Sequence, residues 1–203
     1  VHLSQNFLLL ALIFTMIATW HRGRQLLTDH INEDTEPLQS FIDRIDREVI
    51  ARSPGVGVFM VSSAGSLPPM LRHHVQHNKA VQETVLLLTV ETLDVPRVPS
   101  AERLTVKDMG HGFWTVVARY GFMQSPNVPV ALRFCERFGL KVDPDKASFY
   151  VGRAAVIPSP DVAGMMLWRE RLFAVLSNNA QRATAYYNIT PERVVELGMQ
   201  IRI

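Results

Sequence analysis

The sequence predicts an α/β (or α+β) domain with a mixed sheet, preceded by one transmembrane helix. Three observations predict it. Residues 7–20 (FLLLALIFTMIATW) form an uncharged apolar run, followed at once by His21, Arg22 and Arg24. Short β-rich runs recur at 56–62 (VGVFMVS), 83–92 (ETVLLLTVET) and 149–157. Segments between them carry apolar residues at helical spacing. Near-continuous apolar strands of this kind are covered on both faces, so helices must flank the sheet.

The chain has 203 residues, room for one domain of ordinary size. At 47% hydrophobic and 20% charged residues it is excluded from the intrinsically disordered class. Twelve prolines and eleven glycines without a period exclude collagen-like and solenoid architectures. A net charge of +2, from 21 basic and 19 acidic residues, leaves no electrostatic footprint for a nucleic-acid partner. Cys135 is the single cysteine, which excludes an intramolecular disulfide framework and a multi-cysteine zinc site and fits a reducing compartment.

The 14-residue run at 7–20 is short for a span, which needs about 20 residues. Residues 1–6 extend it through His2, Ser4, Gln5 and Asn6, polar groups suited to headgroups or to partner helices. Trp20 followed by arginines is an interfacial anchor, and the basic flank marks the cytoplasmic side, so the N-terminus is expected outside and the C-terminus inside. A signal peptide would carry its positive charge before the apolar run, and a buried core helix is the other alternative. The chain opens on Val1 and not methionine, which leads us to expect a processed chain or a fragment. The expected organisation is a last, truncated transmembrane helix over 1–24, a linker over 25–35 and a cytosolic domain over 36–203.

Within that domain, Leu38, Phe41, Ile42, Ile45 and Val49 predict an amphipathic helix over 36–52, with Pro37 in its first turn and Ser53-Pro54-Gly55 as its stop. A strand is expected at 56–62, a turn at 63–69, a helix-compatible stretch at 69–82 and a second strand at 83–92. Residues 102–108 and 113–120 read as a hairpin closed by Gly110-His111-Gly112. Asn127 is the expected N-cap of a helix with Pro129 in its first turn, Gly139 closing it, and Ala131, Leu132, Phe134, Cys135 and Phe138 at its apolar positions. A strand at 149–157 precedes a long helix over 165–187, with Met165, Trp168, Leu172, Val175 and Leu176 on one face. Residues 194–203 end the chain as a β-rich segment.

Several blocks, in order, resemble the C-terminal part of the KUP-type potassium uptake permeases (the KUP/HAK/KT family). They are LIFTMIATWHRGR at 12–24, RSPGVGVFMVS at 52–62 and PPMLRHHVQHNKAVQETVLLLTVET at 68–92. DVPRVP at 94–99, GHGFWTVVARYGFM at 110–123, YVGRAAVIPS at 150–159 and MMLWRERLFAVLSNNA at 165–180 follow, and PERVVELGMQIRI closes the chain. The resemblance implies a multi-pass inner-membrane protein taking up K+ by symport with H+. This chain would supply the last of its roughly twelve membrane helices and a regulatory or assembly domain. The implied partners are the lipid bilayer, the remaining transmembrane helices and, for the full-length protein, K+ and H+; a homodimer is a further expectation. Transporters bind ions between several helices near the midplane, and no Asp or Glu lies in the apolar run to relay protons. No ion-pathway residue is therefore expected in this chain.

No enzyme constellation stands out, and no catalytic, cofactor-binding or metal residue is assigned. His73 and His77 lie one helical turn apart, but no third ligand is identifiable and no Glu follows His73 as in H-E-x-x-H. Gly55-Val56-Gly57 precedes a strand where a phosphate-binding turn follows one. Cys135 lies on an apolar helix face, where cysteine behaves as a small hydrophobe. The alternative to a transporter segment is a free-standing, membrane-anchored ligand-binding regulatory module.

Overall fold

The computed structural model describes residues 2–33, 36–48, 50–63, 65–159, 165–179 and 187–202. The chain divides into two units. One comprises 1–34, 153–180 and 198–203, the other 35–152 and 181–197.

The first unit is built on α1 (His2–Glu33), one unbroken helix of 32 residues. At 1.5 Å per residue it is about 48 Å long. The apolar run occupies its first half, with Phe7, Leu10 and Phe14 each more than three-fifths exposed. Thr19, Gly23 and Leu27 are buried, one helical turn apart, and define a single packed stripe on the second half. That stripe meets α5 (Leu167–Asn178), whose Phe173 is fully buried beside Leu27, Ala174 and Val156. Residues 25–33, part of the stretch read from sequence as linker, continue the helix. Among the described residues no helix is long and apolar enough to cross a membrane. The segment expected as a transmembrane helix over 1–24 is helical from His2 onward, without the length and apolarity of a span.

The second unit carries most of the sheet. The strands are β1 (Ala51–Val61), β2 (Ala80–Leu93), β3 (Leu104–Gly110), β4 (Phe113–Gly121), β5 (Ser148–Ile157) and β6 (Val194–Arg202). Their order is β3-β4-β2-β1-β5-β6. β1 pairs parallel with β2 and β5, and β2 parallel with β4, while β3 joins β4 as an antiparallel hairpin. The sheet is mixed, as expected. In β2, Val85, Leu86, Leu87 and Leu88 are all buried, so both faces are covered, which the run of aliphatics foretold.

α2 (Leu38–Arg47) buries Leu38, Phe41, Ile42 and Ile45, the stripe read from sequence; Val49 lies outside the described residues. The helix stops before the expected 52, and Ser53-Pro54-Gly55 belongs to β1 instead. There the register with β2 shifts between Ser53 and Val56, and Gly55 takes φ 109°, a bulge that accommodates the proline within a strand. α3 (Pro69–Asn78) ends at Lys79 in the left-handed region, so residues 80–82 start β2 and do not extend the helix. α4 (Val128–Phe134) is capped by Asn127, whose side chain accepts from the Val130 N–H at 3.0 Å. A 3-10 turn, Cys135–Phe138, follows and ends on Gly139 at φ 83°. Ala131, Leu132 and Cys135 join the main core with Val58, Leu86 and Val116. Phe134 and Phe138 do not: both are more than two-fifths exposed.

The helix expected over 165–187 is shorter, Leu167–Asn178, and residues 180–186 lie outside the described ones. Its buried face is Glu170, Phe173 and Ala174. Trp168 and Val175, read as part of one apolar face, are exposed. Both faces of this helix carry apolar residues, so periodicity alone selected the wrong one.

Candidate functional site

Three places bear on function: the α1–α5 pair, the histidine face of α3 and a groove beside α4.

In the α1–α5 pair, Arg169 Nε donates to the buried Thr19 Oγ1 at 3.1 Å. One turn on, the Trp20 and Phe173 rings lie 5.6 Å apart at 56°. Gly23 sits directly against the Phe173 ring, where an added Cβ would collide with it. Arg24 lies 5.9 Å over Trp20, a cation–π pair on the surface of α1. Glu170 is buried, and its Oε2 has no hydrogen-bond partner among the described residues. The pair therefore joins a helix with an apolar first half to a second helix through Thr19, Gly23 and two aromatics, Trp20 and Phe173.

On α3 the structure separates the three histidines. The His73 and His77 rings stack 5.9 Å apart at 3°, both exposed. His74 turns inward and packs edge-on against Phe59 and Tyr150, whose own rings stack at 4.4 Å. Asn78 Nδ2 lies 3.0 Å from His74 Nδ1, suited to donation to an unprotonated ring nitrogen. Burial lowers the His74 pKa, since the charged ring loses water. Gln82 Nε2 donates to Tyr150 Oη at 2.7 Å, while Gln82 Oε1 is buried without a partner among the described residues. Among the described residues no group of three or more His, Cys, Asp or Glu side chains is placed to hold a metal ion.

The other motifs have structural roles. His111 occupies the left-handed position of the β3–β4 turn, and its Nδ1 lies 2.9 Å from Asp46 Oδ1. Arg52 donates to the His111 carbonyl at 3.0 Å, tying the turn to β1. Gly57 lies within β1 against Gln82, so the Gly55-Val56-Gly57 segment is strand and not a phosphate-binding turn. Cys135 is buried, donates to the Ala131 carbonyl, and has its pKa pushed up to about 11 by burial.

The groove, about 530 Å³ and open to solvent, was not legible in the sequence. Tyr120, Val130, Phe134 and Phe138 line it, with Arg103 and Arg137. The Arg103 guanidinium lies 5.5 Å over Tyr120 and that of Arg137 5.0 Å over Phe134. Arg103 Nε is buried with no partner among the described residues. The exposed Phe134 and Phe138 were the available signal, since apolar residues left out of a core often line a groove.

Residues 54–203 match the family described as "K+ potassium transporter C-terminal domain". The chain is 50% identical over 191 residues to "Probable potassium transport system protein Kup 1" of Geobacter sulfurreducens, covering 94% of this chain and 30% of that protein. It is 49% identical over 191 residues to the Kup protein of Nitrosomonas eutropha, again 94% of this chain and 30% of the relative. To that of Caulobacter vibrioides it is 42% identical over 193 residues, 95% and 29%. The chain thus spans about 30% of the length of these relatives. No solved structure matches it.

Proposed function

This chain belongs to the Kup potassium-transporter family, as its K+ potassium transporter C-terminal domain, and from that premise we propose that it serves K+ uptake as the non-conducting C-terminal part of a longer carrier. In this reading α1 is the last membrane helix and enters the inner membrane through its apolar half. The 14 residues at 7–20 reach only about 21 Å of the roughly 30 Å hydrocarbon core. Neighbouring helices must therefore cover its polar start. Arg22 and Arg24 after Trp20 set the orientation, N-terminus outside and the domain cytoplasmic. Uptake is coupled to protons, and both ions pass through helices other than α1. The domain regulates or assembles the carrier and acts on no substrate of its own.

The observation that carries this reading is the division of α1: large apolar side chains exposed along its first half, and a packed stripe of Thr19, Gly23 and Leu27 along its second. The test is extraction of membranes from cells expressing the chain. It should stay in the membrane pellet through alkaline carbonate, and release into the supernatant would contradict insertion.

The groove beside α4 favours a second reading, a regulatory module that senses an anionic ligand. Two guanidinium groups on its wall supply the charge. A thermal shift produced by inorganic phosphate or nucleotides, abolished by Arg103→Gln, supports it; a flat response with every anion tried rejects it.

A further inference from the structure

The geometry points to a second contact with the lipid surface, made by the start of α5 through Met166, Leu167 and Trp168. This inference rests on the reading of α1 as a membrane helix. Met166, Leu167 and Trp168 are exposed by 62%, 42% and 52%. They are three successive large apolar side chains with no cover among the described residues. The contacts with α1 fix where they lie. Arg169, the next residue, reaches Thr19, and Phe173 packs on Trp20 and Gly23. Farther along, Phe173 and Ala174 join Leu27. Residue numbers rise together along both helices, so α5 runs parallel to α1.

The start of α5 therefore stands level with Thr19 and Trp20, where the apolar run of α1 gives way to His21, Arg22 and Arg24. That is the level of the headgroups if α1 inserts. Helical side chains lean toward the helix N-terminus, so the side chains at the start of α5 lean toward the apolar half of α1. Their chemistry fits the interface. A tryptophan with aliphatic neighbours suits the headgroup boundary, and the exposed Arg171 close after them suits anionic lipid. α5 would thus hold its unit against the membrane at a fixed depth, beside α1.

The test places a nitroxide label on the full chain in phosphatidylcholine–phosphatidylglycerol vesicles, in the variants Met166→Cys, Ile13→Cys and Lys107→Cys. Cys135 is buried with its pKa pushed up to about 11 and stays unlabelled. Collision with oxygen, relative to a water-soluble nickel chelate, reads depth. The expected result is a ratio several-fold higher at Met166→Cys than at the exposed Lys107→Cys, and higher still at Ile13→Cys. A Met166→Cys label as aqueous as Lys107→Cys, with Ile13→Cys deep, overturns this inference and leaves α1 inserted. An aqueous Ile13→Cys label overturns the reading of α1 itself. A Met166→Cys label shielded from both reagents would show a protein neighbour, a second copy or another helix, and also overturns it.

Discussion

His74 and Gly23 show how single side chains set the behaviour of the two units. His74 packs edge-on against the stacked Phe59 and Tyr150 rings, partly removed from water, and its pKa is lowered by that burial. A histidine whose folded pKa lies below its unfolded value of about 6.5 favours the neutral form of the fold. Its contribution to stability is present above pH 6.5 and is lost as pH falls through the lowered folded pKa. Denaturant midpoints measured from pH 8 to pH 4.5 should therefore fall less steeply in His74→Phe than in the unaltered chain; parallel curves would exclude His74 as the source. Gly23 is required by a close approach. A methyl group there meets the fully buried Phe173 ring. Gly23→Ala should loosen the α1–α5 pair by about 1–3 kcal/mol, the usual cost of overpacking. Hydrogen exchange of the α5 amides should quicken accordingly, and unchanged protection would mean that the pair repacks freely.

At the scale of elements, legibility followed how local the signal was. The α4 cap was readable because Asn127, Pro129 and Gly139 act within a few residues of themselves. Asn127→Ala should cost about 1 kcal/mol, lowering the melting temperature by about 2–4 °C in a chain of this size. A shift near zero would mean that the Asn127 backbone contacts with the Tyr120 hydroxyl hold the turn alone. The hairpin at Gly110-His111-Gly112 and the apolar β2 were readable for the same reason. Pro54 and Gly55 misled, because a breaker inside a strand is recognisable only once β2 is beside it and the bulge has a partner. α5 misled because both of its faces carry apolar residues, and its packing on Thr19, Trp20, Gly23 and Leu27 of α1 decides which of them is buried. The polar stretch 25–33 read as a linker because solvent exposure and helix breaking look alike in a single sequence. The groove of Arg103, Tyr120, Phe134 and Arg137 joins residues from distant segments, and no spacing announces it.

At the scale of the molecule, the proposed function divides labour between this chain and a larger carrier. The chain matches relatives over about 30% of their length. It contributes a half-apolar helix, a second helix packed parallel to it and a domain on a mixed sheet. One helix builds no ion site, because such sites lie between several helices. The proposed function is that the chain supports K+ uptake without conducting. The most direct test is rubidium uptake in cells lacking their own K+ uptake systems. Three proteins are compared: the Geobacter sulfurreducens Kup 1 relative with its matching segment replaced by this chain, the same relative with that segment deleted, and this chain alone. The account predicts uptake by the first, impaired uptake by the second and none by the third. Uptake by the chain alone, or full uptake by the deleted relative, would contradict it.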